Sequence, residues 1–175
     1  MRTGRKTDSG FTLIELIVVI AIIAVLTGVF IISINPIQAN ASRRAAVNMR
    51  DVFLHGKQYA MTRGNSGTYV EITSGDQITA TFYVNGEKAD SETISSRKVN
   101  VSYNDGTSPL TGDTLYLAFD KGSGACRVFN TGTSYNSSDT IPDSSKAPYI
   151  RISAGGVTYE VKVSGLTGRV DMQRI

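Results

Sequence analysis

The chain has 175 residues, 41% hydrophobic and 19% charged, which suits one compact domain with one extension and leaves little room for two domains. A single cysteine, Cys126, excludes an intrachain disulfide, and its ordinary role is that of a small buried apolar residue. Arg2, Arg5 and Lys6 against Asp8 supply two of the three net positive charges, so the pI near 9.0 belongs partly to the first ten residues and is no argument for a nucleic-acid partner.

After the basic start comes an apolar run. From Leu16 to Ile34 there is no charge, and a helix rising ~1.5 Å per residue would span ~28 Å there, close to a bilayer core. Lys and Arg precede the run, which by the positive-inside rule keeps the amino end cytoplasmic and exports the rest. A secretory signal peptide has a shorter apolar region ending at a small-residue cleavage site, and Ile37-Gln38-Ala39 matches such a site poorly. A plain membrane anchor accounts for the length and flanks but gives no reason for Glu15. A carboxylate near the edge of hydrocarbon costs several kcal/mol unless it is paired or reaches the interface. Cleavage before Phe11 would create an amine four residues from Glu15, about one helical turn away and at a similar height between neighbouring stems.

Gly10-Phe11-Thr12-Leu13-Ile14-Glu15, with the basic leader and apolar run, resembles the prepilin motif of type IV pilins and type II secretion pseudopilins. The resemblance implies that residues 1–10 are a leader removed by a membrane prepilin peptidase, which cuts after Gly10 and N-methylates Phe11. It implies that Glu15 neutralises the terminal amine of an adjacent subunit during assembly. The partners implied are that peptidase, other pilin or pseudopilin subunits, the cytoplasmic membrane and, indirectly, an assembly platform with its ATPase. No cofactor is implied. The expected location is single-pass in the cytoplasmic membrane with an exported head, then an extracytoplasmic filament.

Residues 11–37 are thus read as a membrane or filament-core helix, and 38–175 as a head. Pro36 removes a backbone donor and is expected to bend or interrupt the helix around Ser33 to Asn35, with Gly28 a second soft spot. An amphipathic helix follows from about Gln38 to Arg63. Ala45, Met49, Val52, Phe53 and Ala60 form its apolar stripe, and Arg43, Arg44, Arg50, Asp51 and Lys57 take the other face. Gly64-Asn65 is its stop signal. Beyond Gly67 the period changes to two. The strands expected are Thr68 to Thr73, Ile78 to Val84, Glu92 to Tyr103, Thr114 to Asp120, Ala125 to Asn130, Pro148 to Ala154, Val157 to Val163 and Gly168 to Met172. Asn85-Gly86, Asp105-Gly106 and Gly155-Gly156 separate them as turns, and 131–147 reads as an exposed loop. The expected fold class is α+β: a long amino-terminal helix packed on an antiparallel sheet, pilin-like.

Tyr59 to Asn65 and the terminal Gly165-Leu166-Thr167-Gly168-Arg169-Val170 are similar to the GspH/FimT group of minor pilins and pseudopilins. Some members of that group are linked to DNA uptake through basic residues near the last strand. Arg169 and Arg174 stand there, but Asp171 lies between them. Arg127, Lys146, Arg151, Lys162, Arg169 and Arg174 are the candidate basic face for phosphates, with acidic residues interleaved and no aromatic stacking surface legible.

No enzymatic constellation is legible. The one histidine, His55, sits on the amphipathic helix as a surface or boundary residue, and one His with one Cys cannot assemble the usual zinc sets. No glycine loop with lysine cradles a phosphate. Asp105, Asp113 and Asp120 do not match an EF-hand spacing and read as turn formers. The expectation is a structural filament subunit. A head that captures DNA, an exported substrate or a host surface is the competing class.

Overall fold

The computed structural model describes residues 11–63, 67–141 and 144–175, with the backbone alone given for 28–36. The leader, the Gly10 side of the cleavage point and the Gly64-Asn65 stop signal lie outside the described residues. A boundary between Asn35 and Pro36 divides the chain into two compact units.

Helix α1 runs Leu13–Arg63 without the interruption expected at Pro36. Proline there withdraws one N–H from the ladder and leaves the other turns intact, so a helix this long carries the loss. Among the described residues no helix is long and apolar enough to cross a membrane. The run read as membrane-spanning, Leu16 to Ile34, extends past Thr27 into residues whose side chains are outside the described set. Between Leu13 and Leu26 the large apolar side chains face outward; Ile20 is 57% exposed and Ile23 56%.

Among the described residues ten strands follow: β1 Tyr69–Ser74, β2 Ile78–Val84, β3 Glu87–Ser95, β4 Asn100–Asn104, β5 Pro109–Leu110, β6 Thr114–Phe119, β7 Cys126–Thr131, β8 Tyr149–Ala154, β9 Val157–Val163 and β10 Val170–Arg174. They form two five-stranded sheets rather than one, in the orders β3-β2-β1-β6-β7 and β10-β9-β8-β4-β5. Every pairing is antiparallel. The chain passes from one sheet to the other after β3, after β5 and after β7.

One expected strand, Glu92 to Tyr103, is in fact two strands in different sheets, parted at 96–99. Ser95 accepts from the Arg97 N–H and donates to the Arg97 carbonyl through one hydroxyl, so the chain turns there instead of extending. The first half of β3 is polar on both sides and carries no period-two signal. Its herald is the turn: Asn85 and Gly86 have φ of 58° and 85°, the two-residue hairpin geometry that requires a returning strand at Glu87. Gly155-Gly156 likewise joins β8 to β9 with both φ positive. The last strand begins two residues later than expected, because Ser164 to Gly168 closes a turn in which the Gly168 N–H meets the Ser164 carbonyl.

The core is one cluster drawn from α1 and both sheets. The expected stripe Ala45, Met49, Val52, Phe53 and Ala60 is at most 2% exposed. It meets the inward residues of the first sheet, Val70, Ile72, Ala80, Phe82, Leu115 and Leu117, and of the second, Ile150, Ile152, Val161 and Val163. A Cβ on Gly56 would come within 2.5 Å of Val70 Cγ2, so the helix approaches β1 more closely than any other residue there permits. Tyr103 of β4 hydrogen-bonds Ser74 of β1, and so ties the two sheets together.

Two expectations about the surface are corrected. Lys57 is not on the open face. Its Nζ donates to the carbonyls of Thr167 (2.8 Å) and Gly168 (3.4 Å), fastening the helix to the β9–β10 turn. The 131–147 segment is not simply an exposed loop. Tyr135 stacks on Tyr69 with ring centroids 4.0 Å apart, Ile141 is buried, and the Ile141 N–H donates to the Arg127 carbonyl. The segment therefore lies as a strap over the outer face of the first sheet.

Candidate functional site

The amino-terminal site is built on the first turn of α1. Thr12 precedes the helix, and its hydroxyl accepts from the Glu15 N–H at 3.3 Å. The Glu15 carboxylate in turn accepts from the Thr12 N–H and the Thr12 hydroxyl through Oε2, each at 2.9 Å. This is the reciprocal capping box of a Thr-x-x-Glu sequence, which satisfies two donors a helix start otherwise leaves unpaired. The sequence reading assigned Glu15 to assembly and passed over Thr12, although Thr-x-x-Glu ahead of an apolar run is a legible signature. The cap fixes where the helix begins, so Phe11, 85% exposed, lies outside it. Gly10 lies outside the described residues. Phe11, Ile14, Glu15, Val18 and Val19 line a shallow open groove of ≈ 360 Å³. The cap engages Oε2 of Glu15 and, among the described residues, leaves Oε1 outside it.

The candidate basic residues of the head are dispersed and mostly paired. Arg151 and Lys162 share one buried carboxylate: Arg151 Nε lies 2.8 Å from Glu160 Oε2 and Lys162 Nζ 2.9 Å from Oε1. Gln173 adds a third donor at 3.0 Å. Burial alone would raise the Glu160 pKa, but the bonds from Lys162, Arg151 and Gln173 together outweigh it and hold the carboxyl below its ordinary value. Arg169 makes a two-pronged contact with Asp171, and Arg127 lies 3.7 Å from Asp120. Arg174 sits at the end of β10 on an edge of the second sheet, exposed. Lys146 lies in the strap segment, where Gly165 N–H donates to its carbonyl. The structure thus brings Arg151 and Lys162 together, around an acid, and leaves the others in separate places.

The outer face of the first sheet holds what the sequence did not show. Tyr69 of β1 is sandwiched between Tyr83 of β2, at 4.6 Å, and Tyr135 of the strap. Tyr69 and Tyr83 are cross-strand partners, so that half of the stack was readable from hairpin register; Tyr135 was not.

Among the described residues no group of three His, Cys, Asp or Glu is placed to hold a metal. Asp105 Oδ1 accepts from the Thr107 and Ser108 N–H groups, and Asp120 Oδ1 from Gly122 and Ser123, which fixes each carboxylate to its own turn. The Ser123 bonds hold the Asp120 carboxyl below its ordinary pKa. His55 is half exposed with Nδ1 3.0 Å from Glu92 Oε1. Cys126 is buried with its thiol toward the Val128 carbonyl, and burial pushes its pKa far up, which removes thiolate chemistry.

No curated protein and no solved structure matches the chain. Residues 5–31 match the prokaryotic N-terminal methylation motif, which implies processing by a prepilin peptidase and assembly with other pilins.

Proposed function

We propose that the chain is a minor pilin or pseudopilin of the GspH/FimT kind, a structural subunit of an envelope filament of a type II secretion system or type IV pilus, and not an enzyme. The observation that carries this reading is the methylation motif at 5–31 with Glu15 placed in the first turn of a 51-residue helix. Prepilin peptidase cuts between Gly10 and Phe11 and methylates the Phe11 amine. The apolar run anchors the precursor across the cytoplasmic membrane with its amino end inside, and later bundles with neighbouring stems. The free lone pairs on Glu15 Oε1 then face the terminal amine of an adjacent subunit, an ion pair that removes a bare charge from an apolar filament core.

The test is the mass of the amino-terminal peptide from cell envelopes. N-methyl-Phe11 in the wild type, and uncut precursor when Gly10 is replaced by a bulky residue such as Leu, are expected. Efficient cutting of Gly10→Leu, or Met1 retained throughout in the wild type, overturns the assignment. A deletion strain then separates the machines. Loss of surface pili with normal secretion marks a pilus subunit, and intact pili with missing secreted proteins marks a secretion pseudopilin.

A further inference from the structure

Where α1 enters the head, an open cleft of ≈ 410 Å³ lies between the helix and the end of β3. Asn40, Arg44 and Asn48, at four-residue steps, share the helix wall, and Ser96 and Arg97, just past β3, stand on the other. Both walls are fixed. Asn48 Nδ2 donates to the Ile94 carbonyl at 2.9 Å, and the Ser95 hydroxyl bonds both the N–H and the carbonyl of Arg97. Both arginines are exposed, and among the described residues no ion pair or side-chain hydrogen bond engages either guanidinium. No described carboxylate lines the cleft. Along the same flank of the helix the next acid is Asp51, seven residues beyond Arg44 and so ~10 Å further on. Glu92 of β3 is held by His55. Arg43 is exposed beside Arg44, and Lys98 beside Arg97 reaches Asp76 at 3.5 Å, so the surroundings stay cationic.

We propose that this cleft binds the phosphodiester of an anionic phospholipid, of the phosphatidylglycerol type, in the membrane leaflet from which the head emerges. The proposal rests on the membrane-anchored precursor of the proposed function and adds what the head does there. Ile37, 51% exposed at the cleft, follows the last residue of the apolar run by three positions, so the cleft begins where the chain leaves the hydrocarbon. From Pro36 to Arg44 is ~12 Å of helix. Side chains on a helix lean back toward its amino end, which returns the guanidinium toward a headgroup layer ~5–8 Å deep. Two guanidinium forks from different elements match the charged oxygens of a phosphodiester. The Asn40 amide and the Ser96 hydroxyl offer partners to the hydroxyls of a glycerol headgroup. A zwitterionic ethanolamine headgroup would bring an ammonium between two arginines with no carboxylate to meet it, so the cleft discriminates by charge. Bound lipid thus holds the head at the bilayer while the subunit waits for assembly, and extraction from the membrane releases it.

The test uses the full-length chain purified in mild detergent, with phosphatidylglycerol and phosphatidylethanolamine added in equal amounts and retained lipid read by native mass spectrometry. Preferential retention of one phosphatidylglycerol per chain is expected, and Arg44→Gln with Arg97→Gln is expected to lower it about tenfold. Arg50→Gln removes an exposed arginine of the same helix outside the cleft and should keep the lipid, while lipid on the apolar stem is common to all three chains. Both cleft arginines are exposed, so the unfolding midpoint of the head should not move. Equal retention of the two lipids, lipid kept by the doubly substituted chain, or an equal loss in Arg50→Gln each overturn the proposal. So does displacement of the lipid by millimolar inorganic phosphate, which marks a site for the free anion, or by a short DNA duplex, which marks a nucleic-acid site. Chain that stays in alkali-washed membranes but shows no lipid preference defeats the cleft assignment alone. Chain released by the alkaline wash defeats the membrane-anchored reading, whatever lipid it retains.

Discussion

Leucine, isoleucine and valine do opposite things in the two halves of this molecule. In the head they end at or near zero exposure, as Ile72, Leu115 and Ile152 do, because two sheets and one helix face converge on them. Between Leu13 and Leu26 the same residue types stand half exposed around a single helix. Burying one such side chain is worth ~1.5–3 kcal/mol, so in the proposed filament subunit the stem's apolar surface gains its stabilisation from lipid or from other stems. The head is built to be stable by itself and the stem to be stable in company. Changes in the stem should therefore alter assembly without altering the stability of the head, and changes in the head the reverse.

The largest expected effect belongs to the stem. Glu15→Ala should leave cleavage at Gly10 largely intact and remove the chain from sheared filaments, with the unfolding midpoint of the head unchanged. Normal incorporation would sink the pairing of Glu15 with a neighbour's amine.

In the head, Gly168→Ala should destabilise by about 3 kcal/mol. Gly168 has φ of 59°, and a Cβ there would fall on the Gly124 carbonyl oxygen, so both conformation and space are lost. Denaturant unfolding of the full chain in detergent measures this, and amino-terminal processing should remain normal.

A smaller loss, about 1–2 kcal/mol, is expected for Glu160→Ala, which leaves Arg151 and Lys162 facing each other half exposed. The pH dependence has a definite sign. Glu160 titrates lower in the folded chain than in the unfolded one, so its contribution is complete above the ordinary glutamate pKa of ~4.5 and fades as pH falls through the depressed folded value. Glu160→Gln should flatten the acid limb of the stability curve in that window; an unchanged limb would show that the network contributes nothing there.

The smallest effect is Thr12→Val, which removes the hydroxyl half of the capping box and should cost about 1 kcal/mol of local helix stability. Faster amide exchange at Leu13 to Leu16, with an unchanged head midpoint, is the expected readout.

Much of this division was legible in the residues. The Ala45–Ala60 stripe and the limits of β2 and β9 follow from local chemistry: a 3.6-residue period, alternation, and Asn-Gly or Gly-Gly turns, whereas the cleavage point after Gly10 and the assembly role of Glu15 rest on the resemblance. The Thr12 cap was equally local and was overshadowed by the role assigned to Glu15. The polar half of β3 was hidden because an edge strand with solvent on both sides has no alternation to read.

What only the tertiary structure decided is who lies beside whom. β1 pairs with β6 and β4 with β8 across long stretches of chain, and nothing within either segment states its partner. The same holds for Lys57 capping carbonyls 110 and 111 residues away, for Gly168 against Gly124, and for Tyr135 on Tyr69. A sequence by itself determines the contacts that lie within a turn or a hairpin, where spacing fixes geometry. Contacts between distant segments form only when a shared core closes the loops between them, and burial, not spacing, selects them.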